Sequence, residues 1–194
     1  MNLRRYSIMA KTNFNGTKVV TGLNTRLSYV HLLEPAAPLG GGKEKYSASI
    51  IIPKSDTKTL AQIEAAIQNA VKNNLEKFGG KMPNMKAIKT PLRDGDVERD
   101  DAAYQDSYFL NANSISKPQI VDRHLQPILD PEEIYSGMYA RVSLNFYAFN
   151  VNGNRGVACG LGNVQKVRDG ERFGGKSSAS DDFTSLDDDN DFLA

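Results

Sequence analysis

The chain has 194 residues, of which 40% are apolar, and its 24 basic and 23 acidic side chains nearly cancel. This length and composition suffice to bury the core of one domain. The single cysteine, Cys159, excludes an internal disulfide framework and a cysteine-based zinc site, and no apolar segment has the length of a signal peptide or a membrane span. We therefore expect a soluble cytoplasmic protein in which Cys159 is a small core residue.

The first half of the chain predicts two strands and a helix. Residues 18–32 are rich in β-branched side chains and predict a strand, and residues 43–52 alternate between apolar and polar side chains and predict its hairpin partner. Ser55 or Asp56 then caps a segment with apolar residues at helical spacing, which Gly79 and Gly80 end. We expect one helix over about residues 56–78.

The second half of the chain predicts mostly strands. A turn-rich, charged segment over residues 80–103 is typical of a long loop. Strands are predicted at 107–115, 119–121, 138–150 and 156–167, and a tight turn at 152–154 joins the last two. About six strands and one helix favour a small closed β-barrel with an inserted helix over a doubly wound sheet.

Residues 138–150 carry the sharpest pattern in the body of the chain. The even positions from Met138 to Ala148 are all apolar and predict a core face, because side chains alternate across a strand. The odd positions then form an outer face with three aromatic rings, a guanidinium and small polar groups: Tyr139, Arg141, Ser143, Asn145, Tyr147 and Phe149. Rings stack on unpaired bases and cations neutralise phosphates, so this face indicates binding of single-stranded nucleic acid.

Cations elsewhere extend this candidate surface. Arg26, Lys43 and Lys45 lie on the polar faces of the first two predicted strands, and Lys86, Lys89 and Arg93 lie in the long loop. The alternative is that the aromatic residues pack under the helix or the loop, since strands favour Tyr and Phe for packing alone.

The C-terminal residues 177–194 have a composition of their own. They contain six aspartates, no Lys or Arg, and four apolar residues including Phe192. Without those six carboxylates the remaining 176 residues carry 24 basic and 17 acidic side chains, a net charge of +7. A basic body attracts polyanions, and an acidic tail on the same chain competes with them. A disordered tail that only increases solubility is the alternative.

No catalytic constellation is found in the sequence. The acidic run of Asp94, Asp96, Glu98, Asp100 and Asp101 resembles the carboxylates of a magnesium-dependent nuclease, but it lies in one contiguous loop. His31 and His124 have no nearby Ser or Cys at the spacing of a local triad. We therefore expect no enzymatic activity, no cofactor and no metal site.

Several short motifs, strung in order over most of residues 10–194, resemble a family of phage and prophage proteins. They are PLRDGD at 91–96, YFLNAN at 108–113, PQIVD at 118–122, YSG at 135–137, GLGNVQ at 160–165 and DGER at 169–172. That family, formerly a domain of unknown function, is related to the single-stranded-DNA-binding proteins of short-tailed coliphages. The resemblance implies an oligonucleotide/oligosaccharide-binding (OB) barrel, no enzymatic activity and a role in phage DNA replication or recombination.

The acidic tail is similar to the tips with which single-stranded-DNA-binding proteins recruit replication and recombination partners of phage or host. Its candidate partner-binding residues are Asp187, Asp188, Asp189, Asp191 and Phe192. The tail departs from those tips because Leu193 and Ala194 follow Phe192, whereas the tips place Phe last or next to last.

These inferences predict an extension at 1–16, an OB-like single-stranded-DNA-binding domain at 17–170, and a flexible linker with a disordered acidic tail at 171–194. The ten candidate DNA-binding residues are Arg26, Lys43, Lys45, Lys86, Lys89, Arg93, Tyr139, Arg141, Tyr147 and Phe149. Exchange of tails between two bodies makes a homodimer possible. A non-enzymatic phage structural or adaptor protein that binds other proteins through its barrel is the main alternative.

Overall fold

The computed structural model describes residues 16–38 and 40–174. The strands are β1 (Lys18–Val20), β2 (Arg26–Ala36), β3 (Lys45–Pro53), β4 (Arg93–Asp94), β5 (Ser107–Ser114), β6 (Ile120–Val121), β7 (Tyr139–Val151) and β8 (Asn154–Arg168). The helices are α1 (Thr57–Lys72) and the short α2 (Gly95–Glu98), with 3₁₀ turns at Leu75–Phe78, Met85–Ala87, Ala102–Tyr104 and Pro131–Glu133. The strand predicted over 18–32 is therefore two strands, separated by residues 21–25.

Five strands close into a barrel in the order β7, β2, β3, β5, β8 and back to β7. Neighbours pair antiparallel except β5 and β8, which are parallel at Asn113 and Gly160. A five-stranded barrel with this order is the OB topology, so the predicted fold class is confirmed. β1 adds to β7, β6 to β8 and β4 to β5 at the margins.

The inserted helix is shorter than predicted. Asp56 caps α1, as expected, because its carboxylate accepts a hydrogen bond from the Thr59 amide at 3.1 Å. The helix ends at Lys72, and Leu75–Phe78 continue as a 3₁₀ turn that Gly79 terminates with a φ of 84°. Its buried face, which includes Ile63, Ile67 and Val71, joins the interior core and packs against β7 and β1.

The barrel interior is apolar. Inward side chains of all five barrel strands form one cluster, with Leu27, Ile50, Leu110, Leu144 and Cys159 among its members. The Cys159 side chain is buried, as predicted, and this burial raises the pKa of its thiol. A smaller cluster of Ile51, Tyr104 and Phe109 is separate from the interior core.

The end of the described chain is held on the barrel beyond the predicted boundary at residue 170. The Phe173 amide donates to the Ser136 carbonyl at 2.9 Å, and Arg26 donates to the Glu171 carbonyl at 2.8 Å. Tyr135 donates through its hydroxyl to Asp169 at 2.9 Å. We call residues 169–173 the C-terminal clamp. The predicted acidic tail and nearly all of the predicted extension at 1–16 lie outside the described residues.

Within residues 16–38 and 40–174 there is no helix with the length and apolar character needed to cross a membrane.

Gly137 provides a test of the clamp. It has a φ of 112°, and an added Cβ would lie 1.9 Å from the Glu171 carbonyl oxygen, whereas Gly153, with a φ of 80°, has nothing within 4 Å of that position. We expect Gly153→Ala to lower the free energy of unfolding by about 1–2 kcal/mol through backbone strain alone. Gly137→Ala should lower it by roughly 2 kcal/mol more, since it also forces a clash. Urea unfolding of both variants measures the difference, and equal losses would contradict the packing of the clamp.

Candidate nucleic-acid interface

The two faces of β7 differ as the sequence predicts. The even positions point inward and are at most 3% exposed: Met138, Ala140, Val142, Leu144, Phe146 and Ala148. The odd positions are half-buried or exposed, and the Tyr147 ring is the most accessible of the three aromatic rings, with 43% of its surface exposed. The predicted face therefore exists on the outside of the barrel.

Polar residues and one glycine form a row across the barrel beside this ring. The pairing registers place His31 opposite Ser47, Ser47 opposite Asn113, and Asn113 opposite Gly160. Gly160 in turn lies opposite Asn145, and Asn145 pairs on its other side with Lys18 of β1. None of these residues is fully buried, and a Cβ added at Gly160 would lie 3.8 Å from the Tyr147 ring. The Tyr147 ring therefore lies beside Gly160 and Asn145 of this row, on the outside of the barrel.

Arg26 and Tyr139 are brought together at one end of β7, as neighbours across the β2–β7 pair. The Arg26 guanidinium donates to the Gly137 carbonyl at 3.1 Å and stacks on the Phe173 ring, with its Cζ 4.1 Å from the ring centroid. Arg168, which was not predicted as a site residue, stacks on Tyr139 with its Cζ 3.5 Å from that centroid. Arg26 also donates to Glu171 of the clamp, so it has fewer free donors than its sequence position suggests.

Arg141 lies farther along β7 in a groove of about 350 Å³ on the outside of the barrel. Its Nε donates to the Thr21 carbonyl at 3.3 Å. The groove is also lined by Ser143, Gln165 and the exposed Leu125. This groove combines a cation with polar and apolar walls.

The predicted lysines are spread over two regions. Lys43 and Lys45 lie on the β2–β3 hairpin, and Lys45 pairs with Ala36. Lys89 bridges to Gly156, the register partner of Phe149, and its carbonyl accepts from the Val157 amide at 2.8 Å. Lys89 is therefore near the Phe149 end of β7, and the exposed Lys86 lies three residues earlier on the 3₁₀ turn.

Arg93 lies on β4 and is engaged by the protein. It forms an ion pair with Glu98, and its Cζ lies 4.9 Å from the centroid of the Phe109 ring. Arg93 is thus part of the surface of β5 rather than of the β7 face.

Carboxylates of the acidic loop form ion pairs and helix caps within the protein. Lys54 bonds both Asp96, at 2.7 Å, and Asp94, and these bonds raise the pKa of Lys54 and lower the pKa of Asp96. Asp94 and Asp101 also cap the short helical turns that follow them. Among the described residues no group of three His, Cys, Asp or Glu side chains is placed to hold a metal ion.

Sequence reasoning missed Tyr29, which lies on β2, and Arg99, which follows α2. Tyr29 has an exposed ring, and Arg99 lies over three aromatic rings, yet Arg99 stands in the acidic run and Tyr29 in the middle of a predicted strand. The only sequence signal for either residue was the position of Arg99, a single basic residue within the acidic run.

The predicted tail residues Asp187, Asp188, Asp189, Asp191 and Phe192 lie outside the described residues.

Solved structures similar to this chain share its barrel. The single-stranded DNA-binding protein from bacteriophage Enc34 in complex with ssDNA matches with a TM-score of 0.71 and 24% identity, over 85% of this chain and 97% of that chain. The single-stranded DNA-binding protein gp2.5 of bacteriophage T7 matches with a TM-score of 0.55 and 16% identity, over 91% and 98%. At these identities the likeness shows the fold.

Sequence comparisons extend the likeness to the family. Putative protein p50 of Acyrthosiphon pisum secondary endosymbiont phage 1 is 34% identical over 163 residues, which cover 81% of this chain and 87% of that protein. The family model described as the ssDNA-binding protein of Enterobacter phage Enc34 matches residues 17–193. The chain therefore belongs to the family of the Enterobacter phage Enc34 ssDNA-binding protein, as its motifs predicted.

Proposed function

We propose that this chain binds single-stranded DNA without sequence preference and without catalysing a reaction, and that it acts in phage DNA replication or recombination. The observation that carries the proposal is the exposed Tyr147 ring beside a row of polar residues on the outside of an OB barrel. The family's named member supports it, because the Enc34 protein has been solved in complex with ssDNA.

Stacking supplies the sequence-independent part of the affinity. A base on the Tyr147 ring gains about 1–3 kcal/mol, and every base has a face that can stack. The short side chains of Ser47, Asn113 and Asn145 let a strand lie close to the sheet. Duplex DNA keeps its bases stacked inside the helix, so this surface favours single strands.

Cations supply the phosphate contacts. Among the described residues, Lys43, Lys45, Lys86, Lys89 and Arg141 take part in no ion pair. Their charges are therefore available to phosphates near the Phe149 end of β7, at Arg141 within β7, and on the β2–β3 hairpin. Arg26 and Arg93 keep their positive charge but have partners within the protein.

The acidic tail is proposed to compete with DNA for this surface. The described chain ends at Gly174, next to Phe173 on the Arg26 side chain. Twenty residues follow, and at roughly 3.3 Å per extended residue they can reach any face of the barrel. DNA would expel the carboxylates from the basic surface and free Asp187 to Phe192 for replication or recombination proteins of phage or host.

An adaptor role that uses the barrel to bind other proteins is the second candidate. The chain segment that joins β5 to β7 has three exposed apolar side chains, Ile115, Leu125 and Leu129, and Leu129 is 90% exposed. Apolar exposure of this kind marks interaction surfaces. A largely apolar interface depends weakly on salt, whereas phosphate contacts weaken steeply with salt.

We expect the protein to bind a fluorescent oligothymidine more tightly than duplex DNA, with an affinity that falls as salt rises. Tyr147→Ala should weaken this binding about tenfold or more, because one stacking ring is lost. Tyr147→Phe keeps the ring and should bind like the wild type. Anisotropy titrations at several salt concentrations measure both effects.

Leu129→Ala is the matched control, since it removes an exposed side chain outside the β7 face. It should leave DNA affinity unchanged. Equal affinities of wild type and Tyr147→Ala would contradict the stacking role, and the absence of any single-strand binding at low salt would favour the adaptor role.

Removal of residues 177–194 should tighten DNA binding at low salt and steepen its salt dependence, because an internal competitor is gone. A full-length variant with the six tail aspartates changed to asparagine should behave like the deletion, which separates charge from length. The same anisotropy titrations compare the three proteins, and an unchanged low-salt affinity of the deletion would contradict the competition.

A further inference from the structure

We propose that Tyr29 and Arg99 form a second nucleotide subsite on the outside of the barrel, in which a base stacks on Tyr29 while the Arg99 guanidinium donates hydrogen bonds to that nucleotide. This subsite lies on the side of the barrel formed by β2, β3 and β5, and β2 borders β7 at Arg26 and Tyr139. The inference rests on the proposed function, because it assumes that the occupant is a single-stranded nucleic acid.

Arg99 is unusual among the cations of this region because no carboxylate neutralises it. Five acidic residues lie within five positions of it, yet Glu98 pairs with Arg93, and Asp94 and Asp96 pair with Lys54. Within the described part of the chain the Arg99 guanidinium forms no ion pair, and its Nε is buried without a hydrogen-bond partner. A buried donor left unsatisfied costs about 1–3 kcal/mol, so such a donor calls for an explanation.

Aromatic rings surround that guanidinium. Its Cζ lies 4.9 Å from the centroid of the Phe109 ring, 5.2 Å from that of Tyr104 and 5.9 Å from that of Tyr29. An arginine stacked on rings keeps its outer N–H groups for hydrogen bonds in the plane of its guanidinium, and stacked arginines of this kind recognise unpaired bases and phosphates.

Tyr29 presents its ring to solvent in a strained backbone conformation. Its φ is 48°, which is rare for a bulky residue, and it lies where the β2–β3 register shifts between Ser28 and His31. The ring remains 58% exposed, so burial of apolar surface does not offset this strain. Strained residues that are kept without a packing benefit are concentrated at binding sites.

The support beneath these two residues is rigid. Tyr104 and Phe109 are fully buried and meet edge to face with their centroids 5.1 Å apart. The Tyr104 hydroxyl donates to the Ser49 Oγ at 3.1 Å, and Gly95 allows α2 to approach closely, since an added Cβ would lie 2.2 Å from the Tyr104 carbonyl oxygen. The rings against which Arg99 packs are therefore fixed before a ligand arrives, which reduces the entropic cost of binding.

Tyr29→Gly separates a binding role from a structural one. Glycine adopts a φ of 48° without strain, so the urea midpoint of this variant should be equal to or above that of the wild type. Its affinity for oligothymidine should nevertheless fall at least fivefold, because the stacking ring is gone. Tyr29→Phe keeps ring and strain and should bind like the wild type.

Arg99→Met keeps an unbranched side chain over the rings and removes the charge. We expect it to remain folded, to bind oligothymidine about tenfold more weakly, and to lower the slope of log affinity against log salt by about 0.7, the value for one phosphate contact on a single strand. A loss of affinity without a change in slope would place the Arg99 hydrogen bond on the base instead of the phosphate, and it would equally support the subsite.

The wild type titrated in parallel distinguishes failure of this subsite from failure of the proposed function. If the wild type binds oligothymidine and both Tyr29→Gly and Arg99→Met bind equally well, the subsite is wrong and the proposed function stands. If the wild type does not bind at low salt, both are wrong. A drop in the urea midpoint of Tyr29→Gly that matches its loss of affinity would assign Tyr29 a structural role and overturn the subsite.

Discussion

The pairing of β7 on both of its edges is the constraint on which the rest of the structure depends. β8 follows one edge from Tyr139 to Val151, while β1 and the start of β2 bond the other. A shift of one residue would turn six buried apolar side chains to solvent, so the register is strongly specified. The same pairing closes the barrel and leaves Tyr139, Tyr147 and Phe149 with no alternative to the outer face.

The features predicted correctly from the sequence are those with a local cause. The alternation of residues 138–150, the cap at Asp56 and the turn at Asn152-Gly153, where both residues have positive φ, depend on neighbouring residues only. The break of the first predicted strand has a distant cause. The Thr21 hydroxyl accepts from the Val142 amide at 3.0 Å, so β1 and β2 bond different parts of the same β7 edge. The alternation of apolar and polar side chains within residues 18–32 therefore does not predict the break between β1 and β2.

In the candidate site, too, the sequence predicted the features with a local cause and missed those that depend on distant residues. The alternation of β7 identified the outer aromatic face, but it could not show that Arg26 bonds carbonyls of Gly137 and Glu171, which are 111 and 145 residues away. The setting of Arg99 likewise depends on Tyr29, Tyr104 and Phe109, which come together only when β2, β5 and the acidic segment pack. Sequence patterns therefore locate outward faces, whereas the availability of a cation on such a face depends on tertiary contacts.

The net charge of +7 on residues 1–176 includes four cations outside the described residues, Arg4, Arg5, Lys11 and Lys176. The described residues themselves carry 20 basic and 17 acidic side chains, a net charge of +3. Ion pairs occupy Lys54, Arg93 and Lys166, and Arg26 and Arg168 donate to backbone carbonyls. With these cations engaged, stacking on exposed rings has to supply a larger share of the proposed DNA affinity than in a protein with a freely basic groove. Carboxylates of an acidic tail contest phosphate contacts but do not replace a stacked base. On the proposed mechanism, the tail therefore tunes how readily DNA binds at low salt, while the rings keep the strand bound once it has displaced the tail.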